Sequence, residues 1–196
     1  MNDRARVAVL VSGGGTNLQA LIDKIQKGEL EEAEIVKVIS SRPDAFALER
    51  AKKAGIETAV AAEQKDVLRE LRLSGADIVV LAGYMKVLSP DIIENYRNRI
   101  INIHPSLIPK YCGKGFYGIR VHRAVLEGGE KESGATVHYV DEGVDTGKII
   151  IQRKVPVMEG DTPETLAARV LETEHEILAE GLREVIKKVR KDEGGR

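Results

Sequence analysis

Short runs of β-branched residues alternate with amphipathic segments through the first half of the chain, and this alternation constrains the fold more than any other feature. Residues 6–12 (RVAVLVS) and 34–40 (EIVKVIS) have the composition of strands, and residues 16–28 carry apolar residues at helical spacing before Gly28. Strands joined by crossover helices form parallel sheets. The sequence therefore predicts a single-domain, Rossmann-like α/β fold with a mostly parallel sheet and helices on both faces.

The same alternation continues to residue 100, and the order of elements changes after it. The further predicted elements are a helix over 44–55, a short strand over 56–61, a helix over about 63–74, a strand over 76–83, a helix capped by Ser89 before Pro90, and a strand at 101–104. A glycine-rich loop (110–118) and a helix ending at Gly128 follow. Strands 134–140 and 148–157 are close enough in sequence to form an antiparallel pair. A long helix over about 162–189 and a frayed tail at 191–196 complete the prediction.

Composition limits the partners and the setting of the protein. The chain has 196 residues, 42% of them apolar, and a formal charge of -1, so it lacks the basic surplus expected for nucleic-acid binding. Cys112 is the only cysteine, which excludes an internal disulfide and a thiolate metal cluster. The apolar run near the N-terminus is too short for a signal peptide or a membrane span. We therefore expect a cytoplasmic protein that acts on small molecules, with no nucleic-acid or membrane partner.

A glycine-rich loop follows the first predicted strand. Its residues are Gly13, Gly14, Gly15, Thr16 and Asn17. Backbone N–H groups in such a loop, together with the N-terminus of the next helix, favour an anion such as a phosphate. No Gly-Lys-Ser/Thr follows, and the third glycine of a dinucleotide motif is replaced by Leu18, so a phosphorylated small molecule is the better interpretation. The alternative is a tight turn capped by Thr16 without a ligand.

Asn102 and His104 lie two residues apart in the tract INIHPSLIP. Residues of the same parity on a strand point to the same side, and Pro105 ends this strand just after His104. In open α/β sheets the binding crevice lies beyond the carboxyl ends of the strands. The pair is therefore predicted to face a site, whereas the alternative is a buried structural histidine beside an asparagine that bonds local backbone.

An acidic partner for His104 is expected from the loop DEGVDTG between the last two predicted strands. Asp145 is the candidate, because a carboxylate beside an imidazole favours the imidazolium and fixes the ring. Asp141 and Glu142 compete with it, and turn chemistry alone also explains acids in such a loop. The other histidines, His122, His138 and His175, are expected to be structural or solvated.

The sequence contains no motif typical of a catalytic nucleophile or of a metal site. No Ser lies in a G-x-S-x-G turn, Cys112 is expected to be unreactive, and no His/Cys cluster has the spacing of metal ligands. The remaining chemistry is direct transfer through a tetrahedral intermediate. An amine attacks a carbonyl, Asn102 and a protonated His104 stabilise the oxyanion, and His104 with Asp145 moves a proton to the leaving group.

These motifs together resemble the glycinamide ribonucleotide formyltransferases of the folate-dependent formyltransferase superfamily. The segments that carry the resemblance are VLVSGGGTNLQALI, SSRPDAFALERAKKAGI, DIVVLAGYMKVLSP, INIHPSLIPKY, SGATVHYVDEGVDTGKIIIQ and GDTPETLAARVLETEH. The resemblance implies transfer of the formyl group of 10-formyltetrahydrofolate to the amine of 5-phosphoribosylglycinamide, in purine (IMP) biosynthesis, without a metal. The co-substrate is thus a folate, and a monomer or a homodimer is expected.

The resemblance also implies roles for particular residues. Asn102, His104 and Asp145 form the catalytic set, with Asp145 raising the pKa of His104. The ribonucleotide is held by Gly13, Gly14, Gly15, Thr16, Asn17, Pro105 and Glu174. The folate is held by Met85, Lys86, Val87, Leu88, Asn102, Val140, Asp141, Glu142 and Asp145. The phosphate-binding half covers about 1–100 and the folate-binding and catalytic half about 80–160, within a formyltransferase domain of 1–190.

Two departures and two related enzymes limit this assignment. The basic residue expected to contact folate falls near Gln64 or Lys65 and is not assigned, and the loop 112–118 is longer than in some members. Methionyl-tRNA formyltransferase shares the core but is expected to carry a C-terminal domain and a basic surface. Formyltetrahydrofolate hydrolase shares it with an N-terminal regulatory domain. A binding module without catalysis would keep the glycine loop but not Asn102, His104 and Asp145.

Overall fold

A computed structural model describes residues 4–194 of the chain. The strands are β1 (Ala5–Val11), β2 (Ala33–Ser40), β3 (Thr58–Val60), β4 (Ile78–Leu81), β5 (Ile100–His104), β6 (Glu132–Tyr139) and β7 (Ile149–Pro156). The helices are α1 (Thr16–Gln26), α2 (Phe46–Lys53), α3 (Gln64–Ser74), α4 (Pro90–Asn95), α5 (Ile119–Glu127) and α6 (Pro163–Gly194). The seven strands form a sheet in the order β3-β2-β1-β4-β5-β6-β7.

Two compact units make up the described chain. The first contains the described residues up to Ile101 together with those from Leu182 onward, and the second is Asn102–Gly181. In the first unit β1 pairs in parallel with β2 and with β4, and β2 pairs in parallel with β3. Residues Val7 to Val11 of β1 are fully buried, as expected for a central strand covered on both faces. The predicted alternation of strands and crossover helices is confirmed.

The second unit contains the antiparallel pair that the sequence predicted. Strand β6 pairs with β7 from Glu132 opposite Pro156 to His138 opposite Ile149, with a register shift between Val137 and His138. A Cβ atom on Gly134 would lie 2.2 Å from the carbonyl oxygen of Arg153, so only glycine fits where these strands approach. The α/β class with a mostly parallel sheet and an antiparallel pair in the C-terminal half is therefore confirmed.

Helix ends differ from the prediction at several positions. The N-cap of α1 is Gly15 in the left-handed region, and Thr16 is the first helical residue rather than the cap. Ser89 occupies the N-cap position of α4 as predicted, but it makes no side-chain capping bond. At α6 the hydroxyl of Thr162 accepts a bond of 3.3 Å from the N–H of Thr165, as a capping residue does.

The last helix is longer than predicted. It continues to Gly194, past the predicted end near residue 189, so the tail predicted to be frayed from 191 is helical up to 194. Residues 195 and 196 lie outside the described part of the chain. Between residues 4 and 194, no helix is long and apolar enough to cross a membrane.

Candidate active site

Strand β5 places Asn102 and His104 in the second unit, next to each other on one side of the strand. The alternate residues Ile101 and Ile103 are buried, at 0% and 6% exposure, and pack into the core. His104 is itself 5% exposed, whereas Asn102 is half-buried. The predicted parity of the pair is confirmed, and the strand ends at His104 as the following proline requires.

Asp145 reaches both members of the pair. Its Oδ2 lies 3.6 Å from Nδ1 of His104, and its Oδ1 lies 3.5 Å from Nδ2 of Asn102. The backbone N–H of Gly113 donates a 2.8 Å bond to Oδ2. Asp145 adopts a φ of 57°, a left-handed conformation that is uncommon for a residue with a side chain. The structure thus brings together the three side chains that the sequence proposed as a catalytic group.

The two competing acids of the loop have other positions. Oδ1 of Asp141 accepts bonds from the N–H of Gly143 at 3.1 Å and from the hydroxyl of Thr146 at 2.6 Å, which closes the turn. Glu142 is exposed. Among the three acids, Asp145 alone is paired with His104 in the described structure. Turn chemistry therefore accounts for Asp141, and the acidic partner of the histidine is Asp145.

The position of the hydrogen on the His104 ring follows from its contact with Tyr111. Nε2 lies 3.0 Å from the carbonyl oxygen of Tyr111. A carbonyl only accepts, so Nε2 carries the hydrogen and the neutral ring keeps its lone pair on Nδ1. Nδ1 is therefore the atom that can take up a proton, and it faces the carboxylate of Asp145.

Burial lowers the pKa of His104 below its ordinary value, although Asp145 acts to raise it, as the resemblance implied. The removal of the ring from water is the largest influence, and the charge of His138 acts in the same direction. The Tyr111 carbonyl and the Asp145 carboxylate raise the pKa, but they do not offset the burial. His104 is thus neutral near pH 7 in the free protein. The charge of Asp145 only limits how far the pKa of His104 is lowered.

Asp145 keeps its charge despite being largely enclosed. Burial acts to raise the pKa of its carboxyl, but the neighbouring His138 and His104 rings and the N–H of Gly113 together lower the pKa below its ordinary value. A carboxylate and a neutral imidazole therefore lie side by side at neutral pH. Such a pair accepts a proton on the imidazole and stabilises the resulting cation.

His138 belongs to this cluster, although the sequence assigned it a structural or solvated place. It is 2% exposed, and Nε2 lies 3.1 Å from Nδ2 of Asn102 and 3.6 Å from Oδ1 of Asp145. Nδ1 donates a 2.8 Å bond to the carbonyl of Tyr139, so Nε2 accepts from the Asn102 amide. The available signal was its position near the end of a strand, seven residues before Asp145. Its contact orients the Asn102 side chain.

His122 is also buried, at 3% exposure, and therefore is not solvated. Burial, with a smaller effect of the charge on His104, lowers its pKa to about 4. Its Nδ1 has no hydrogen-bond partner among the described residues. This histidine is consequently neutral at physiological pH and part of the interior of the second unit.

The glycine loop lies in the first unit between β1 and α1. Gly13 and Gly14 are exposed, and a Cβ atom on either would meet nothing within 4 Å. Gly15 has a φ of 73°, and a Cβ atom there would lie 2.6 Å from Cβ of Ala47. Glycine is required at Gly15 by the backbone, whereas at Gly13 and Gly14 the space in front of the loop is open to a ligand.

The segment proposed for folate follows β4. Met85 and Val87 are 55% and 63% exposed, whereas Leu88 is 5% exposed and anchors the segment. The N–H of Met85 donates a 2.9 Å bond to the hydroxyl of Ser12, and Nζ of Lys86 donates to the carbonyl of Ala62 at 2.5 Å. Two apolar side chains, Met85 and Val87, are thus exposed in this segment of the first unit.

Gln64 and Lys65, the two positions considered for the basic folate contact, lie on helix α3. The amide of Gln64 accepts from the N–H of Ser89 at 3.0 Å and lies 3.4 Å from the hydroxyl of Tyr84, so it holds the segment 84–89 in place. Lys65 lines a groove of about 370 Å³ with Arg69, Arg72 and neighbouring residues. Gln64 lines the same groove, so the basic residue that contacts folate stays unassigned.

The remaining proposed contacts lie in the second unit. Pro105 is half-buried directly after His104, and Glu174 is 8% exposed on α6. Val140 and Asp141 are half-buried at the start of the loop that ends at Asp145. Their roles in binding substrate stay predictions. Among the side chains of residues 4–192, no group of three or more His, Cys, Asp or Glu is arranged to hold a metal ion.

Residues 5–182 match the family model described as formyl transferase, so the chain belongs to the formyl transferase family. The resemblance inferred from the sequence motifs is confirmed at this level.

Individual relatives are closely similar over most of the chain. Phosphoribosylglycinamide formyltransferase of Escherichia coli (strain K12) is 41% identical over 180 residues, covering 87% of this chain and 82% of that protein. The crystal structure of glycinamide ribonucleotide transformylase 1 from Symbiobacterium toebii superimposes with a TM-score of 0.89 at 40% identity, covering 96% of this chain and 90% of that one. The trifunctional purine biosynthetic protein adenosine-3 of Drosophila pseudoobscura pseudoobscura is 45% identical over 206 residues, but this chain spans only 15% of its length.

Proposed function

We propose that this chain transfers the formyl group of 10-formyltetrahydrofolate to the amine of 5-phosphoribosylglycinamide, giving phosphoribosyl-N-formylglycinamide and tetrahydrofolate in purine biosynthesis. The observation that carries the proposal is the enclosed Asn102, His104 and Asp145 group, in which a neutral imidazole faces a carboxylate 3.6 Å away. The E. coli relative at 41% identity supports the choice of substrates. The folate is a co-substrate that the reaction consumes.

The geometry supports a definite order of proton movement. As the amine nitrogen adds to the formyl carbon, it loses a proton, and Nδ1 of His104 carries the lone pair that takes it up. The charge of Asp145 and the carbonyl of Tyr111 stabilise the imidazolium, since both raise the pKa of this histidine. His104 then returns the proton to N10 of the folate as the bond from N10 to the formyl carbon breaks.

Asn102 is proposed to stabilise the oxygen that becomes negative during the addition. Its amide Nδ2 is held by Nε2 of His138 at 3.1 Å, so the group is positioned before substrate arrives. A donor fixed in advance stabilises a developing oxyanion without reorganisation. His138 is thus a positioning residue for Asn102.

Binding of the two substrates is assigned to the residues that the resemblance indicates. Gly13 to Asn17 are proposed to hold the ribosyl phosphate, with Pro105 and Glu174 contacting the rest of that substrate. Residues 85–88 are proposed to line the folate pocket with Asn102 and residues 140–142 and 145. The exposed Met85 and Val87 suit the apolar faces of a pterin ring.

A single assay tests the function. Purified protein is mixed with 10-formyltetrahydrofolate and either phosphoribosylglycinamide, methionyl-tRNA or water alone, and the release of tetrahydrofolate is followed. We expect release only with phosphoribosylglycinamide. Equal release with water alone would instead identify a formyltetrahydrofolate hydrolase, and release with methionyl-tRNA a tRNA formyltransferase.

A further inference from the structure

Three consecutive carbonyl groups in the glycine loop accept hydrogen bonds from α1 or α2. The bonds are Ala47 N–H to Gly13 O at 3.0 Å, Arg50 Nε–H to Gly14 O at 2.8 Å, and Gln19 N–H to Gly15 O at 2.9 Å. The first and third donors are backbone groups of helices. Arg50 is the side-chain donor of the three, so it is the one that a substitution can remove without altering the main chain.

These bonds determine where the N–H groups of the loop point. In a trans peptide the carbonyl and the following N–H point in opposite directions, and the cis peptide among the described residues is elsewhere, at Ile108-Pro109. Fixing the Gly14 carbonyl against Arg50 therefore turns the N–H of Gly15 away from α2. The corresponding bond from Ala47 turns the N–H of Gly14 away in the same manner.

The space in front of the loop matches this orientation. A Cβ atom added to Gly13 or Gly14 would meet nothing within 4 Å, although one added to Gly15 would collide with Ala47. The loop is thus packed against α2 on one side and open on the other. Backbone N–H groups directed into an open space at the start of a helix suit an anion.

The guanidinium of Arg50 is itself held in place. Nη1 donates to Oε1 of Gln19 at 3.2 Å, and the guanidinium carbon lies 5.0 Å from the centre of the Phe46 ring. The side chain is half-buried. Arg50 therefore has a hydrogen bond and a ring contact besides its bond to the loop. Its planar guanidinium is constrained before any ligand binds.

We infer that Arg50 is a positioning residue for the phosphate of the substrate: its bond to the Gly14 carbonyl orients the Gly14–Gly15 peptide so that the Gly15 N–H can bind the phosphate. This inference rests on the proposed function, which supplies the phosphorylated substrate. Arg50 acts through the loop, so its contribution belongs to binding of the phosphate and not to transfer of the formyl group.

The test measures kcat, KM and the dissociation constant of phosphoribosylglycinamide by calorimetry, with the dephosphorylated ribosylglycinamide as the comparison ligand. For Arg50→Ala we expect the dissociation constant of the phosphorylated ligand and KM to rise about 10- to 100-fold, the range for losing a hydrogen bond that supports a charged group. The kcat at saturation and the affinity for the dephosphorylated ligand should stay within about threefold of wild type. Arg50→Lys should recover part of the affinity, because its ammonium can still donate to Gly14 but lacks the second donor to Gln19.

Arg42→Ala is the matched control. Arg42 is an exposed arginine paired with Asp44, so this variant removes the same charge without touching the loop. We expect it to bind both ligands like wild type. An affinity for the phosphorylated ligand within twofold of wild type in Arg50→Ala would overturn the inference, as would an equal loss in Arg42→Ala or an equal loss for both ligands. If Arg50→Ala does not fold, the two single variants Arg50→Lys and Gln19→Ala take its place. Wild-type affinity for the phosphorylated ligand in both of them would overturn the inference. Wild-type protein without formyl transfer would contradict the proposed function instead.

Discussion

The backbone N–H of Gly113 donates a hydrogen bond of 2.8 Å to Oδ2 of Asp145. The same oxygen faces Nδ1 of His104 at 3.6 Å. The loop 110–118, which contains Gly113, therefore holds the acid of the catalytic group in position. This contact also helps to keep the pKa of Asp145 low. The carboxylate is thereby fixed and charged before substrate binds.

Asp145→Asn should lower kcat by about 10²- to 10⁴-fold, the range for losing a general acid-base function. The amide oxygen can still accept from Gly113, so the loop should keep its shape, but the imidazolium of His104 loses its counter-charge. Steady-state kinetics and calorimetry with phosphoribosylglycinamide would check that turnover falls while ribonucleotide binding is retained. Glu132→Gln, an exposed carboxylate paired with Lys154, is the control. Near-wild-type kcat in Asp145→Asn would contradict the mechanism.

Removal of the proposed oxyanion donor gives a second kinetic prediction. Asn102→Ala should lower kcat by about 10²- to 10³-fold, because a donor positioned by His138 before the reaction is lost. Single-turnover rates at saturating substrate would measure the effect on the chemical step. A change confined to KM would show that Asn102 binds substrate without stabilising the oxyanion.

The pH profile should reflect the lowered pKa of His104. The reaction needs the neutral ring, so kcat/KM should fall as the pH drops through this pKa, which burial places below 6.5. Since the charge of Asp145 raises the pKa, Asp145→Asn should move the acid limb to still lower pH. Profiles of kcat/KM for both proteins, with imidazole resonances followed by NMR, would measure this. An acid limb above pH 6.5 in the wild type would contradict the expected direction.

Gly14→Ala should separate folding from binding in the glycine loop. A methyl group at this position meets nothing within 4 Å, and its φ is not in the left-handed region, so the free energy of unfolding should change by less than about 0.5 kcal/mol. The same methyl group would project into the open space proposed for the phosphate and should abolish ribonucleotide binding. Chemical denaturation and calorimetry give the two readouts. Gly15→Ala is the comparison, and it should destabilise the protein because of the contact with Ala47.

His122 should make stability dependent on pH. Its pKa falls from 6.5 to about 4 on folding, so below pH 6.5 the unfolded chain binds a proton that the folded protein excludes. The contribution of the neutral His122 to the free energy of unfolding is thus fully present above pH 6.5 and decreases by about 3 kcal/mol towards pH 4. In His122→Leu this loss should be absent, and denaturation midpoints between pH 7 and 4 would show a flatter dependence. Parallel curves for the two proteins would mean that His122 is not responsible.

Local sequence patterns determined the order of elements and part of the site. Hydrophobic periodicity and glycine positions predicted the strands and helices because these signals act over a few residues. The parity of Asn102 and His104 was likewise a local property of one strand. The ends of helices were less well predicted, since Gly15 and not Thr16 is the N-cap of α1, and α6 continues to Gly194.

Only the tertiary structure decided which distant groups meet. The loop between β6 and β7 contains three acids, Asp141, Glu142 and Asp145, which the sequence alone does not distinguish. The left-handed φ of 57° at Asp145 and its bond from Gly113 direct that carboxylate to His104. His138 joined the site because β6 brings it within 3.1 Å of Asn102, a relation between residues 36 apart in sequence. The pKa of His104 was also decided by folding, because removal of the ring from water depends on everything packed around it and outweighs the charge of its acidic partner.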